Sequence, residues 1–470
     1  MTASEHEQKP INVLILAAGL GTRMRSEIAK VLHRLDGRPL INHVCATAAA
    51  LAPEKIYVVI GHQGEDVKKA VLDELDPGQV EFVWQKEQLG TGDAVNSARE
   101  FLADSDSTLV VLSGDVPMIK HDTLAGLIQQ QHHHRGKGAA ATILTVKLGN
   151  PTGYGRIIRD EDGLFRKIVE QKDATEDERA VNEINAGIYC FDSKKLFSAL
   201  ARVRNDNAQG EYYLTDVPAL LREDGEDVGM YLHAAASEIE GVNDRRQLAK
   251  LESEIRKRTI DRQMSDGVSF IDTENAYVSE RAKIGRDTTI YPGVMIEGRT
   301  EIGDGCVIRS GTRITDSNID HGVTILENCV ITDSEIGRDC TVGPMAHLRG
   351  HAVMGAGAKV GNFVELKKTR LGPGSKASHL TYLGDATIGE KTNIGAGTIT
   401  CNYDGKNKHE TEIGDNVRIG SDTMLVAPVK VGDGAVTGAG SVVIQDVEAD
   451  SLVVGVPAKK VEKGKKEAKG

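Results

Sequence analysis

Two places in the 470-residue sequence carry residues whose types and spacing suit phosphate chemistry. In the first, the aliphatic run Ile11–Leu16 leads into Leu16-Ala17-Ala18-Gly19-Leu20-Gly21-Thr22-Arg23-Met24. A Gly-rich turn after the opening strand of a βα unit offers backbone N–H groups to a phosphate. Arg23, and then Lys30, stand near enough in sequence to neutralise its charge. The dinucleotide fingerprint G-x-G-x-x-G fails because its third Gly is Met24, and the P-loop pattern G-x-x-x-x-G-K is absent as well. Taken alone, the fragment reads equally as an ordinary tight turn. Residues 108–112 (TLVVL) end in Ser113-Gly114-Asp115-Val116-Pro117. An Asp at the carboxyl end of a sheet strand can hold Mg2+ beside substrate phosphates, or simply cap the next helix. In the second place, Arg349 and Lys367 each follow a Leu and lie 18 residues apart. If 18 residues make one turn of a coil, the two cations stack about 4.8 Å apart on one face. Like charges that close repel unless an anion lies between them; otherwise they are two solvated cations, splayed apart.

The elements that position these residues follow two regimes. Short aliphatic runs at 11–16 (INVLIL), 56–60 (IYVVI) and 108–112 alternate with helix-like stretches at 41–51 and 123–131. Strands alternating with helices predict βαβ units and a mostly parallel, Rossmann-like α/β sheet. Residues 243–264 carry Leu248, Leu251 and Ile255 at helical spacing and predict a connecting helix. Beyond about Asp266 the period changes. Ile284, Ile290, Ile296, Ile302, Ile308 and Ile314 recur every six residues. With occasional five-residue steps the pattern runs on to Leu366, and it resumes at Leu383, Ile388 and Ile394 and then at Ile413, Ile419, Leu425 and Val431. Such a period fits neither a helix nor an alternating strand. It predicts a hexapeptide solenoid, a left-handed parallel β-helix in which each hexapeptide gives one short strand and one corner. Roughly nine coils at about 4.8 Å give a prism about 40 Å long. Residues 401–412 (CNYDGKNKHETE) break the phase and are expected to protrude. The Lys-rich tail from Lys459 is expected to fray.

Composition narrows the function classes. Charged residues at 27% and hydrophobic residues at 40% predict a globular chain. A net charge of -12 argues against a nucleic-acid or membrane-surface binder. No apolar run approaches the roughly 20 residues that cross a bilayer. Six Cys without a C-x-x-C pair speak against a zinc or redox motif, and their sparseness suits a reducing compartment. The polar first ten residues lack a signal-peptide pattern, so a cytoplasmic protein is expected. The run His132-His133-His134 reads as a solvated helix end, since adjacent His residues do not easily share one metal site.

Taken together, LAAGLGTRM, AKVLH, Gln85 with QLGTGDA, and SGDVP resemble the sugar-1-phosphate nucleotidyltransferases. The likeness continues through Pro151-Thr152-Gly153-Tyr154-Gly155-Arg156, Ile168-Val169-Glu170, Asn185-Ala186-Gly187 and Gly241-Val242-Asn243. It implies that Leu16, Ala17, Ala18, Gly19, Gly21, Arg23 and Lys30 handle UTP. It implies that Gln85, Gly90 and Thr91 read the uracil, and that Asp115 and Asn243 hold Mg2+. Gly155, Glu170 and Asn185 would bind the N-acetylglucosamine moiety. Two residues depart from the pattern: Ala29, where Pro often precedes the Lys, and Asp93, where relatives often have His after G-T-G. A sugar-phosphate oxygen would attack the α-phosphorus of UTP in line as pyrophosphate leaves, and an anionic nucleophile needs no protein base.

Residues 361–368 (GNFVELKK), 375–385 (SKASHLTYLGD) and 392–404 (TNIGAGTITCNYD) resemble a second activity. They match the acetyltransferase half of the bifunctional N-acetylglucosamine-1-phosphate uridyltransferase/glucosamine-1-phosphate N-acetyltransferase family, so that the likeness spans nearly the whole chain. It implies that His379 is the general base toward the sugar amine. Arg349 and Lys367 would grip the sugar phosphate. Tyr382, Asn393, Asn402 and Tyr403 would shape the sugar site, the last two also facing acetyl-CoA. Ala396, Ser421 and Ala439 would line the acetyl-CoA groove, with N–H groups near Ala396 facing the oxyanion. Gly455 stands where relatives carry an Arg, and Lys459 or Lys460 would take over its contact with the coenzyme's phosphate. His321, His347 and His351 read as solvated. The resemblance further implies a homotrimer with the acetyl site between chains. The expected domains are a uridyltransferase domain at 1–242, a linker helix at 243–265, the β-helix at 266–458 and a tail at 459–470. The alternative is a nucleotidyltransferase whose solenoid only regulates or oligomerises; Arg349, Lys367, His379 and Tyr382 together speak against it.

Overall fold

The computed structural model describes residues 9–19 and 21–461. The N-terminal octet, Leu20 and the tail from residue 462 onward lie outside the described residues, and with them most of the Lys-rich segment. The chain divides into two compact units, Met1–Leu251 and Glu252–Gly470.

In the first unit the aliphatic runs become one sheet. Its main order is Val228–His233, Ala141–Lys147, Glu183–Asp192, Thr108–Ser113, Ile11–Leu16, Lys55–Ile60 and Val80–Trp84. Ile11–Leu16 lies parallel to both neighbours, whereas Glu183–Asp192 is antiparallel to both of its own. A hairpin of Arg156–Arg159 and Phe165–Val169 hangs from Glu183–Asp192. Val13 and Ile15 enter one apolar cluster and Leu14 the other. A strand covered on both faces must divide its side chains this way, which is why it reads as an unbroken hydrophobic run. Each such side chain contributes about 1.5–3 kcal/mol on burial. The sheet therefore holds the carboxyl ends of Ile11–Leu16 and Thr108–Ser113 rigidly side by side.

The expected helices are Leu40–Ala50 and His121–His133. The second corrects the reading of the His run. His132 is half-buried, and its Nε2 hydrogen-bonds Thr108 Oγ1 at 2.8 Å. Burial lowers its pKa. The helix face, not adjacency in sequence, decides which of the three His residues meets the sheet.

In the second unit the inward column Ile290, Ile308, Ile325, Val342, Val360, Ala377, Ile394 and Ile419 is buried in one core. Their strands pair in parallel, rung on rung, as in Thr289 with Val307 and Val307 with Thr324. Corners are stitched by carboxylates that accept backbone N–H groups of the preceding coil. Asp304 takes that of Arg286 at 2.9 Å and Asp316 that of Arg299 at 2.8 Å. One sheet reaches twelve strands, so the prism has more rungs than the nine expected. Its last strand, Lys459–Val461, turns back antiparallel on Leu452–Val454. The start of the tail is thus a strand, not a frayed end. It pairs an edge that a parallel stack leaves open. Residues 402–410 are mostly exposed and leave the coil as a loop.

The helix Arg245–Ser265 crosses the division between the units. Its later turns belong to the coil: Ile260 sits in the solenoid core and Gln263 Nε2 donates to Ala282 O at 3.0 Å. All six cysteines are free thiols. Among the described residues, no helix is long and apolar enough to cross a membrane.

Candidate functional site

The first site forms where three chain segments meet at the strand ends. Gly114 N donates to Leu16 O at 2.9 Å, and Val242 N donates to Asp115 O at 2.9 Å. The turn after Leu16 closes down on Lys30. Gly21 has φ +62°, and a Cβ there would lie 2.5 Å from Lys30 Cβ. Only glycine meets both demands. Lys30 Nζ pairs with Asp115 Oδ2 and lies 3.4 Å from Asn243 Oδ1. Arg23 Nη2 donates to the same Asn243 oxygen at 2.8 Å. Ser113 Oγ, a partner the sequence did not single out, donates to Asp115 Oδ1 at 2.7 Å. Arg23, Lys30, Asp115 and Asn243 are thus brought together, although up to 220 residues separate them. Two hard oxygen acceptors turned toward one ammonium form a donor set that suits a divalent ion such as Mg2+.

Beside this cluster, Gln85 follows strand Val80–Trp84 and is buried. Gly90, at φ +115°, opens the short helix Thr91–Asn96. A Cβ on Gly90 would lie 2.6 Å from Tyr212 O, so the glycine lets residues 211–214 close over this loop. Thr91 Oγ1 accepts the Leu214 N–H at 3.1 Å. Gly155, Glu170 and Asn185 form a second group. Asn185 N donates to Gly155 O at 2.9 Å, and a Cβ on Gly155 would lie 3.3 Å from Glu170 Oε1. The strand carrying Asn185 bulges between Asn185 and Tyr189. Within the bulge Asn185 Nδ2 donates to Tyr189 Oη at 2.7 Å. Burial raises the Glu170 pKa, opposed by a hydrogen bond with Thr215 and helped by Asp173, Asp216 and Glu211. Thr215 and Tyr189 left no signal in the sequence.

In the coil, Arg349 and Lys367 are direct partners on neighbouring strands, as their spacing requires. Their repulsion is relieved by carboxylates. Arg349 donates to Glu365 Oε1 from Nε at 2.7 Å and Nη2 at 2.6 Å. Lys367 Nζ lies 3.7 Å from Asp385 Oδ2. Lys408, from the protruding loop, joins the group. Its pKa is lowered by contact with Lys367, while that of Lys367 is raised by the same contact and then by Asp385 and Tyr382. Three cationic side chains against two carboxylates leave a net positive group that suits an anion.

His379 is the partner of Asn362 one coil earlier, and the two side chains meet: His379 Nδ1–H donates to Asn362 Oδ1 at 2.6 Å. An amide oxygen accepts only, so this bond puts the proton on Nδ1 and leaves the Nε2 lone pair free. A strict 18-residue count back from His379 lands on Gly361; a five-residue step in this coil brings Asn362, 17 residues earlier, into register. Tyr382 approaches Asn402 Nδ2 at 3.5 Å, and Asn402 Nδ2 also meets Asp385 Oδ2. A Cβ at Gly384 would lie 2.3 Å from Tyr382 Oη, so this glycine makes the space for the phenol. Tyr403 is 60% exposed on the loop. Ala396, Ser421 and Ala439 stand at successive corners, where Asp422 N donates to Ala396 O and Gly440 N to Ser421 O. Asn393 is exposed on a neighbouring strand, in register with Lys376 and Arg418. No hydrogen bond joins its side chain to the others among the described residues. Lys460 pairs with Glu448 at the surface. His321 and His351 are exposed, but His321 Nδ1 accepts the Asp304 N–H at 2.9 Å. His347 is half-buried in its strand rather than solvated.

Comparison with known proteins agrees with both halves. The nucleotidyl transferase family matches residues 12–236. The GMPPB C-terminal domain family matches residues 272–379, and the bacterial transferase hexapeptide family matches 410–445. A protein of Shouchella clausii described as bifunctional protein GlmU is 47% identical over 94% of this chain and 95% of its own. Proteins with the same description from a Geobacillus species and from Listeria innocua are 48% and 46% identical. They cover 94% and 93% of this chain, and 94% of their own length in each case.

Proposed function

The chain belongs to the family of bifunctional GlmU proteins, and from that membership we propose how its residues divide the work. It is an enzyme with two transferase activities that together make UDP-N-acetylglucosamine. The coil transfers acetyl from acetyl-CoA to glucosamine-1-phosphate, and the α/β domain transfers uridylyl from UTP to the product.

In the acetyl site Arg349, Lys367 and Lys408 hold the sugar phosphate, which fixes the amine beside His379. The amine lone pair attacks the thioester carbonyl, and His379 Nε2 accepts the amine proton. The tetrahedral intermediate then expels the coenzyme sulfur, which leaves as the thiol once it takes up a proton. General-base help of this kind is worth about 10²- to 10⁴-fold. Tyr382 and Asn402 border the sugar, and the corner column Ala396, Ser421 and Ala439 borders the coenzyme. In the uridylyl site Arg23, Lys30 and the N–H groups of the Gly-rich turn hold the UTP phosphates. Gln85, Gly90 and Thr91 meet the base, and Gly155, Glu170 and Asn185 meet the sugar. Asp115 and Asn243 would hold Mg2+, which when bound offsets charge on the phosphates. The side chains align a sugar-phosphate oxygen with the α-phosphorus, a bond forms between them, and the bond to pyrophosphate breaks. A cytoplasmic homotrimer fits the substrates and the exposed acetyl-site loop.

The observation that carries the acetyl assignment is the His379–Asn362 bond on the coil that also carries Arg349 and Lys367. In the intact chain, His379→Ala is expected to lose acetyl transfer by at least about 100-fold and to keep uridylyl transfer. Undiminished acetyl transfer in that variant removes His379 from the reaction.

A further inference from the structure

Gln85 directly follows strand Val80–Trp84, and its backbone N–H bonds Ile60 O at 2.9 Å, so its position is fixed by the sheet. Its side chain is fixed separately. Nε2 donates to Asp93 Oδ2 at 2.7 Å and to Gly90 O at 3.4 Å. Both acceptors lack hydrogens. Turning the amide over would press Oε1 against a carboxylate and a carbonyl, three acceptors with no proton among them. Asp93 therefore dictates which end of the Gln85 amide is left for a ligand, and that end is Oε1. Among the described residues nothing donates to it.

Resting on the reading that Gln85 meets the base of the nucleotide, we propose that Asp93 is a positioning residue that makes the uridylyl site selective for uracil over cytosine. Uracil carries a hydrogen on N3 and donates to an acceptor. Cytosine carries a lone pair there and would meet Oε1 lone pair to lone pair. A site whose polar group is locked in one sense rejects the base of opposite sense more strongly than one that can turn. The selective element is the carboxylate: an amide or imidazole at position 93 presents a donor as well as an acceptor and leaves Gln85 free to turn over.

Competition between UTP and CTP in the full-length enzyme, with the two sugar-nucleotide products counted by mass spectrometry, tests this. Asp93→Asn is expected to lower the UTP-to-CTP product ratio by about tenfold, the worth of one hydrogen bond. The loss should appear mainly as a raised KM for UTP. The chain's single tryptophan, Trp84, adjoins Gln85, so its unchanged fluorescence shows that the loop has kept its fold. Gln85→Ala separates the proposal from the reading beneath it. If Gln85→Ala lowers the ratio and Asp93→Asn does not, Gln85 reads the base without help from Asp93, and the proposal is wrong. If neither variant changes the ratio, Gln85 does not read the base, and the proposal falls with it.

Discussion

His379 depends on one hydrogen bond whose direction is forced. Asn362 Oδ1 accepts from Nδ1–H, which fixes the tautomer and aims Nε2 outward. Asn362→Ala removes the acceptor and leaves the ring free to rotate and to exchange tautomers. Acetyl kcat is expected to fall about 10- to 100-fold, with KM for acetyl-CoA little changed and uridylyl transfer unaffected in the same preparation. An unchanged kcat would mean the ring is oriented by something else. Lys408 supplies a pH signature. The neighbouring Lys367 pushes its pKa below that of an ordinary lysine, so Lys408 loses its charge at lower pH than Lys367 does. A phosphate between them favours the protonated form. Affinity for glucosamine-1-phosphate is therefore full at low pH and declines as pH rises through the depressed Lys408 value. Replacing Lys408 by Arg, which stays charged, should flatten the rise of KM with pH measured between pH 7 and 10.

Register does at the scale of elements what side chains do at the scale of residues. The six-residue period sets which residues share a corner, and from it the Arg349–Lys367 pairing and the inward isoleucine column were both legible. Asn362 falls outside that arithmetic, because its coil is 17 residues long and an 18-residue count from His379 ends on Gly361. Lys408 was not legible by any count. It comes from residues that break the phase, and where register stops, proximity cannot be reckoned from spacing. In the α/β unit, motif order located Arg23, Lys30, Asp115 and Asn243, but Thr215 and Tyr189 reach Glu170 and Asn185 through a closing segment and a bulge that no period announces. Gly384 shows how tightly a rung is built. A methyl group there meets Tyr382 Oη at 2.3 Å with strand neighbours on both sides. Gly384→Ala should displace the phenol and raise KM for the sugar phosphate about tenfold or more. The melting transition should fall by no more than the cost of local overpacking, about 1–3 kcal/mol. A normal KM with a lowered melting temperature would make Gly384 a packing residue only.

For the whole molecule, the question is where one folding unit ends and the other begins. A cut beside Ser265, at the end of the helix Arg245–Ser265, looks natural from sequence, because charge and helical spacing stop there and the six-residue period starts. The division at Leu251 and Glu252 differs for a physical reason. A parallel coil leaves its first rung with an uncovered apolar end, and stacked repeats need a cap that differs from the repeat. Ile260, buried in the solenoid core, and Gln263, bonded to Ala282 O, supply that cap from the later turns of the helix. Removing one buried aliphatic side chain costs about 2–5 kcal/mol, and the lost hydrogen bond about 1 kcal/mol more. A fragment covering residues 252–470 should therefore unfold cooperatively and retain acetyl transfer. One covering 266–470 should melt several degrees lower, with its loss of stability concentrated in the first coils. Thermal unfolding followed by circular dichroism, with hydrogen exchange read along residues 269–308, distinguishes the two. Equal melting temperatures and equal protection of the first coils in both fragments would show that the helix end is a linker after all, and that the coil closes its own first rung.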